Sequence, residues 1–599
     1  MKHRAAELGD FTVSPRVIFL SGLAVIIGLI AAVVALGLLR LIGLFTNLFF
    51  YGRWNAALTS PAGNHLGLWV ILIPVIGGVI VGFMARYGSD RIRGHGIPEA
   101  IESILINGSR VEPKLAILKP LSAAIAIGSG GPFGAEGPII VTGGAFGSTL
   151  AQLFRLSSAE RKTLLVAGAA AGMSATFAAP VSAVLLAVEL LLFEWKPRSL
   201  IPVALASATA AATRRYILGL GPLFPVHQHP LFIGPAGMLG CALCGLMAGI
   251  LALLVTAAVY GVEDGFRKLP VHWMWWPAIG GLVVGIGGYI FPQALGVGYD
   301  TIGSLLAGNV PRNIIIGILV VKSIIWSVSL GSGTSGGILA PILMIGGALG
   351  GVEAMFLPAE GAGFWALVSM AATLGGCTGA PFTAIIFALE LTHDVNMMLP
   401  LMIGTMIAYL LTVLVLKRSI LTEKIARRGF HLSREYSVDP LEVIFARDVM
   451  RTNVVAFPEA STIGDLRRLL NGDAPRGQYL YPVLDGDRRV LGVVTRKEAL
   501  SASEESAMQP LLSISRREPI AAWTDEPLRA VVYRMVESGF TRMPVLDRQT
   551  GRLAGMISLQ DMLGARTRSL SEEAKRERVL RLRFPFGRTE SEVVTDTVR

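Results

Sequence analysis

Cysteine is nearly absent: three residues in 599, Cys241, Cys244 and Cys377, all inside apolar stretches. That excludes a disulfide framework and a structural zinc site, and it leaves the Cys241-x-x-Cys244 pair as small helix-packing residues. Charge is scarce too, at 16% of residues against 52% hydrophobic, a balance too apolar for a soluble domain of this size. No His-Glu pair occurs anywhere, so the His-Glu-x-x-His of an intramembrane metalloprotease is excluded. His65, His227, His229, His272 and His393 mostly lie beside loop signals such as Pro61, Pro225, Pro230 and Pro270, which assigns them surface or interfacial positions rather than metal binding. The net charge of +11 comes without an aromatic-interleaved basic domain, so no nucleic-acid partner is expected, and basic residues flanking membrane helices account for it.

What the chain does have is length of apolar run. Val17 to Phe49, Leu68 to Met84, Met238 to Val259 and Leu399 to Leu416 each suffice for roughly 30 Å of hydrocarbon. The first is too long, and lacks the small-residue cleavage site, to be a removed signal peptide. The acids are unevenly spread, 18 before residue 431 and 24 after it, so the chain changes class near that point. A polytopic α-helical membrane domain over 1–430 is followed by a linker at 431–445 and a soluble α/β part.

The membrane part is duplicated. Ala179-Pro180-Val-Ser-Ala-Val-Leu-Leu-Ala-Val-Glu189-Leu190 returns 201 positions later as Ala380-Pro381-Phe-Thr-Ala-Ile-Ile-Phe-Ala-Leu-Glu390-Leu391, and Gly134 to Gly147 aligns with Gly337 to Gly350 at an offset of 203. The two repeats run from about 68 to 216 and from about 270 to 416. Matched halves with Gly/Pro-broken hydrophobic segments point to a transport site between repeats, near the bilayer midplane. Ile97 to Leu105, Leu164 to Met173 and Thr301 to Leu306 are too short to cross alone, and broken helices are tolerated only where protein or a water-filled cavity satisfies their backbone.

Three glycine-rich breaks open helices: Gly94-His95-Gly96-Ile97-Pro98-Glu99, Gly134-Ala135-Glu136-Gly137-Pro138 and Gly333 to Pro341. Glycine lets backbone amides approach a ligand closely, and helix N-termini favour anions. Proline just inside the helix suits such starts, because its missing N–H has no partner there. Amides rather than cationic side chains hold an ion weakly enough for it to leave again. Glu136 is the only acid at these breaks once the flanking Glu99 is set aside, so the acidic, oxygen-rich pore of a magnesium transporter is not present. A carboxylate at membrane depth is a functional-site candidate; here it takes the place of an anion.

At these residues the chain resembles the CLC family of chloride channels and chloride/proton antiporters, over roughly residues 15 to 566. Gly134 to Pro138 is similar to the family's G-x-E-G-P, Gly94 to Pro98 to its G-S-G-I-P, and Gly337-Ile338-Leu339-Ala340-Pro341 to its G-I-F-A-P. The resemblance implies a CLC-type inverted repeat with broken helices, and a homodimer in which each subunit has its own pore. It implies a multi-pass protein of the bacterial inner membrane with both termini cytoplasmic. It gives Glu136 the role of gate, and it places chloride or another monovalent anion against His95, Gly96, Ile97, Pro98, Gly134, Gly137, Gly337, Ile338, Leu339 and Leu421.

The departures from the family pattern matter. His95 stands where a serine hydroxyl usually contacts the anion; its ring either donates N–H to the anion or turns aside and seals the vestibule. Leu421, in Ser419-Ile420-Leu421, replaces a tyrosine and offers no hydroxyl. Leu190 follows Glu189 where antiporters carry an inner proton-transfer glutamate. Glu189 itself is expected to be structural, because it recurs as Glu390. Lys119 matches a basic position of the family and either raises the pore potential or is a snorkelling surface lysine.

The part beyond Ser437 is also duplicated and resembles a CBS-domain pair, expected over 446–502 and 503–566 with a charged tail at 567–599. Its first copy carries a helix at Thr462 to Leu470 and strands at Leu480 to Leu484 and Val490 to Val494; the second carries a helix at Leu528 to Glu537 and strands at Arg542 to Leu546 and Leu553 to Ile557. In such pairs a Ser/Thr-x-x-Asp holds a nucleotide ribose; Ser558 and Asp561 keep it, whereas Thr495 is followed by the longer Glu498. The module either binds an adenine nucleotide or is a dimerisation unit. The reading placed first is a passive, gated chloride channel, not an enzyme and needing no cofactor; the alternative is a chloride/proton antiporter with a non-standard internal proton path.

Overall fold

Helix α1 (Arg16–Tyr51) shows how the first unit is built. Its buried residues recur as Leu20, Leu23, Ala24, Ile27, Ala31, Ala35, Leu38 and Ile42, a helical stripe. The opposite face exposes Ile18, Ile26, Leu29 and Val33, an apolar surface that only lipid or another apolar partner covers. It ends at Gly52, in the left-handed region at φ 60°.

This computed structural model describes residues 13–105, 109–428, 441, 444–472, 477–517 and 519–574. The chain divides into two units, Met1–Arg434 and Glu435–Arg599. In the first, α1 is followed by α2 (Leu72–Tyr87), α3 (Ile97–Leu105), α4 (Leu115–Gly128), α5 (Glu136–Gln152), α6 (Ser158–Phe177), α7 (Pro180–Leu186) with a π-helical continuation Ala187–Leu192, and α8 (Pro197–Ile217). Then come α9 (Pro235–Arg267), α10 (Trp276–Ile290), α11 (Tyr299–Leu306), α12 (Arg312–Gly317), α13 (Ser323–Gly331), α14 (Leu339–Glu353), α15 (Phe364–Thr378), α16 (Pro381–Thr392), α17 (Met398–Val415) and α18 (Ile420–Arg427). Among the described residues, six helical stretches are long and apolar enough to cross a membrane: Arg16–Tyr51, Gly67–Tyr87, Pro235–Arg267, Trp273–Ile290, Arg312–Gly331 and Val395–Arg427. This is the polytopic helical architecture expected from the runs.

The duplication appears as matched packing, with α5 along α6 in one half and α14 along α15 in the other. α3 and α11 are the short helices expected. The segment Leu164 to Met173 is longer than expected: α6 starts at Ser158, where Ser157 and Glu160 form a capping box, and runs to Phe177. The polar first turn hides the helix from a hydropathy reading, and the reciprocal cap supplies what the charges obscure.

The second unit, described by itself, holds two α/β halves. Strands β1 (Phe457–Pro458), β2 (Leu480–Leu484), β3 (Val490–Thr495) and β4 (Arg516–Arg517) form one sheet in the order β1-β2-β3-β4, and β5 (Ala522–Trp523), β6 (Arg542–Leu546) and β7 (Leu553–Ser558) form the other. In each half a short strand pairs in parallel with the first strand of an antiparallel pair. The helices Ile463–Asn471 and Leu528–Ser538 lie within a residue of their sequence expectations. Of the linker expected over 431–445, only 441, 444 and 445 are described; the tail is described to Ala574, and its remainder lies outside the described residues.

Candidate functional site

The two repeats meet at their glycine-rich breaks. Gly134 N–H donates to the Gly337 carbonyl at 3.1 Å, and Gly337 N–H returns to the Gly134 carbonyl at 2.8 Å. The loops Gly94 and Gly333–Gly336 are joined by a second exchange, Gly94 N–H to Gly333 O at 3.3 Å and Gly336 N–H to Gly94 O at 3.4 Å. Three breaks far apart in sequence thus meet through backbone hydrogen bonds, which requires residues without side chains at the crossing. Gly137 and Gly96 belong to the same crossing: Gly137 faces the His95 carbonyl and Gly96 faces Gly137. Ile97, Ile338 and Leu339 are buried around it, and Pro98 lies in the first turn of α3.

Glu136, the first residue of α5, is fully buried. Its Oε1 accepts the Ala340 N–H at 3.1 Å, so the carboxylate rests on the N-terminus of α14, the other repeat's helix. Its Oε2 has no hydrogen-bond partner. Gly134 and Gly337 make the cradle: a Cβ added at either would stand 1.7 Å or 2.6 Å from Oε2. A helix N-terminus of 15 residues with free N–H groups and the positive dipole end is where an anion binds. The carboxylate occupies that seat.

Two of the cavities beside this crossing lie where a Gly-x-Gly loop opens. One, of about 330 Å³, is lined by Arg93, Gly94, His95, Tyr260, Gly333 and Lys424, at the C-terminal end of α2. The other, of about 50 Å³, is lined by Thr46, Ser60, Gly296, Val297, Gly298 and Tyr299, at the end where α1 passes to α2. The 16 residues of α2 separate the two ends by about 24 Å. Gly296-Val297-Gly298-Tyr299-Asp300 is therefore a fourth break, the counterpart of Gly94 to Pro98. It escapes the sequence reading because valine and aspartate replace histidine and proline; its offset of 202, between the 201 and 203 of the other segments, is the signal that finds it.

The same comparison resolves Lys119. It is fully buried in α4, not a surface lysine, and its Nζ donates to the Ile92 and Gly94 carbonyls at 2.8 Å each. Lys322, which the sequence reading missed, is fully buried in the other repeat and donates to the Ala294 and Gly296 carbonyls at 2.9 and 2.8 Å. Each lysine ties down the Gly-x-Gly loop of its own half, with the ammonium's donors satisfying carbonyls that the break leaves without helical partners.

Glu189 and Glu390 have matched work. Glu189 accepts the Phe382 and Thr383 N–H groups at the start of α16, and Glu390 accepts the Val181 and Ser182 N–H groups at the start of α7. The structural role expected for Glu189 follows from this geometry. Leu190 is 1% exposed, inside the apolar core. Leu421 is fully buried beside Ile420, whose carbonyl accepts the Tyr260 hydroxyl at 2.5 Å. Tyr260 thus brings a hydroxyl to the wall of the larger cavity from α9, a contact with no sequence signal. His95 is buried, and its Nδ1 has no partner. His229, expected at a surface or interface, is buried instead: Nδ1 meets Asp394 Oδ2 at 2.6 Å and Nε2 meets the Ala362 carbonyl at 3.0 Å, because the loops before α9, α15 and α17 close over it.

In the second unit, Asp561 Oδ1 is held by the Nε and Nη2 of Arg451, both at 2.9 Å. The adjoining cavity of about 70 Å³ is also lined by Gln478, Tyr479, Arg542 and Ser558, with the Arg542 guanidinium 4.5 Å over the Tyr479 ring. It has room for about two waters. Ser558 with Asp561 and Thr495 with Glu498 each form a capping box, which explains both spacings by helix initiation. Burial raises the Glu498 carboxyl, but the Thr495 N–H and hydroxyl and the Arg516 guanidinium outweigh it and hold the group below the ordinary glutamate range.

The profile of the family described as "Voltage gated chloride channel" matches residues 76–413, and that of the "CBS domain" matches 446–505 and 512–568. The chain is 30% identical over 376 residues to the H(+)/Cl(-) exchange transporter ClcA of Salmonella paratyphi B, covering 59% of this chain and 78% of that one. It is 28% identical over 349 residues to the putative chloride channel protein ClcB-like of Ralstonia nicotianae, covering 57% and 81%. Among solved structures, a slow cyanobacterial Cl-/H+ antiporter superposes with a TM-score of 0.61 at 20% identity, covering 70% of this chain and 99% of that one. A eukaryotic CLC transporter gives 0.55 at 20% identity, covering 91% and 98%. These structural likenesses carry the fold. The profile match over more than half the chain, and the coverage of ClcA, carry the family: the chain is a multi-pass membrane protein belonging to the CLC family of chloride channels and transporters, with a C-terminal pair of CBS domains.

Proposed function

We propose that this chain is a chloride/proton exchanger in which Glu136 alternates between the anion seat on α14 and a protonated position outside it. The observation that carries the reading is the buried Glu136 carboxylate accepting Ala340 N–H while its second oxygen stays bare. A carboxylate so placed leaves the seat more readily once protonated, because a neutral acid gains less from the helix N-terminus. An anion then takes the same amides. Relatives named as exchange transporters support this alternative over the passive channel placed first by the sequence reading. Passive conduction is the second reading, favoured by Leu190, which carries no proton, and by Leu421, which leaves the anion path without a tyrosine hydroxyl at that position.

The transport path runs in each subunit from the larger cavity through His95, Gly96, Ile97 and Pro98 to Gly337, Ile338, Leu339, Gly134 and Gly137. We place the larger cavity and both termini on the cytoplasmic side, and take the unit of function as a homodimer in a bacterial inner membrane, acting as a transporter rather than an enzyme. The CBS pair regulates it, with an adenine nucleotide at Asp561 and Ser558 of the second copy once Arg451 gives way, and at Thr495 of the first.

The test is a chloride gradient imposed on proteoliposomes while external pH is followed. Exchange drives protons uphill in the wild type, and Glu136→Ala abolishes that movement while chloride flux persists. Robust chloride flux with no proton movement in the wild type identifies the passive channel instead.

A further inference from the structure

Two buried polar atoms near the Glu136 break stand without partners among the described residues, and they are complementary. Glu136 Oε2 is a bare acceptor beside Gly134 and Gly337, and the Tyr299 hydroxyl makes no hydrogen bond. The phenol oxygen faces the backbone of Ala135, the residue before Glu136, without closing a hydrogen bond there, and the Glu136 carboxylate acts on it through space. A phenol carries one donor. The free O–H of Tyr299 and the bare oxygen of Glu136 therefore share one buried neighbourhood, where an unpaired polar group is costly.

Tyr299 is fixed on the side from which Glu136 would be met. It opens α11, directly after the Gly296-Val297-Gly298 loop that Lys322 ties down. Phe177 of α6 meets its ring edge-on at 6.3 Å and 86°, and Phe224 tilts against it at 6.1 Å, so packing sets where the hydroxyl stands. Phe224 is anchored in turn, its N–H donating to the Leu391 carbonyl at 2.9 Å. The Tyr299 ring lines the smaller cavity while its oxygen is buried at the break. One side chain thus reaches from that cavity toward Glu136. At the repeat offsets, the positions matching Glu136 and Tyr299 are Leu339 and Ile97, both buried and apolar. An acid and a hydroxyl were placed together in only one of the two halves.

We infer that Tyr299 is the positioning residue for the outward state of Glu136: when the carboxyl leaves the α14 amides, the Tyr299 hydroxyl donates to it and keeps the seat open for an anion. The inference rests on the exchange reading, since it names the position outside the seat which that reading requires. The phenol stays protonated throughout; it donates a hydrogen bond and transfers no proton.

The test follows initial chloride flux against chloride concentration, together with proton movement, for the full-length protein in proteoliposomes, with Tyr299→Phe made in two backgrounds. Phenylalanine keeps the ring against Phe177 and Phe224 and removes only the hydroxyl. With Glu136 present, loss of the donor favours the seated carboxylate, so half-saturating chloride rises about threefold to tenfold, the range one hydrogen bond gives. In Glu136→Ala, where no carboxyl is left to hold, the same substitution adds no further shift. A merely structural tyrosine shifts both backgrounds alike; that result, or an unshifted half-saturation with Glu136 present, overturns the inference while leaving the exchange reading intact. A wild type that moves chloride without protons overturns the exchange reading, and the two backgrounds then still decide whether Tyr299 draws Glu136 from the seat. Should Tyr299→Phe fail to elute as folded protein, the structure of Glu136→Gln, a neutral stand-in for the protonated acid, decides. Its amide oxygen within about 3.0 Å of the Tyr299 hydroxyl supports the inference, and an amide still on Ala340 N–H, or outside the seat and beyond that range, overturns it.

Discussion

Glu189 and Glu390 cap each other's repeat: Glu189 Oε2 takes Thr383 N–H at 2.9 Å, and Glu390 Oε2 takes Ser182 N–H at 2.8 Å. Each acid closes one helix and opens another, so the pair locks α7 and α16 together. Replacing either by glutamine removes the charge from a helix N-terminus, a loss of about 0.5–2 kcal/mol per cap. Both variants are expected to melt several degrees below wild type in detergent while keeping the wild-type ratio of protons to chloride. Glu189→Gln with intact stability and abolished proton movement would show that the acid handles protons instead.

Lys119 and Lys322 give a sharper symmetry. Each is fully buried and bound to two carbonyls of a Gly-x-Gly loop, with hydrogen bonds from a charged group worth about 1.5–3 kcal/mol. Methionine matches the length of the stem but leaves two carbonyls bare. Lys119→Met is expected to disturb anion affinity at the larger cavity, and Lys322→Met at the smaller one, each with lowered thermal stability. Arginine does not rescue either, because its planar fork replaces a compact ammonium in a closed site. One-sided half-saturation measurements check the assignment, and identical effects of the two variants on both faces would refute it.

The contrast between these two lysines shows what a sequence carries and what it does not. The glycine breaks were readable because close backbone approach admits few residues but glycine, and a repeated spacing survives substitution around it. Glu136 was readable because an acid there is conspicuous. Lys119 was not, since an ammonium bound to carbonyls and one snorkelling to water look alike in a hydrophobic window. Tyr260 meeting the Ile420 carbonyl, and Tyr299 against two phenylalanine rings, are contacts between distant segments that leave no local pattern.

In the CBS pair, the proposed nucleotide must compete with Arg451 for Asp561. The ion pair stands at the wall of the cavity of about 70 Å³, so a ribose that bonds to Asp561 displaces Arg451 from it. Arg451→Ala is expected to strengthen binding of adenine nucleotide to the full-length protein, and Asp561→Ala to abolish it. Thermal shift reads this directly, since ligand at about 100 times its Kd adds about 2.7 kcal/mol to the stability of the folded state. Melting curves unmoved by millimolar ATP or AMP in wild type and Arg451→Ala would leave the module as a purely structural one.

Leu190 decides how the proton path is to be sought. The family resemblance would tempt one to restore an acid there, yet the side chain is 1% exposed among Ala187, Leu191 and Leu192 in the apolar core. Burying an unpaired carboxylate at that position costs several kcal/mol. Leu190→Glu is therefore expected to lower folded yield and melting temperature without increasing proton movement per chloride. The comparison that matters is with Leu190→Gln: an uncharged polar group of the same size suffers the packing change but a smaller desolvation penalty, and so melts higher than the glutamate variant. If instead Leu190→Glu folds like wild type and carries more protons per chloride, water reaches that position from the larger cavity, and the proton path runs along α7 rather than by a route peculiar to this chain.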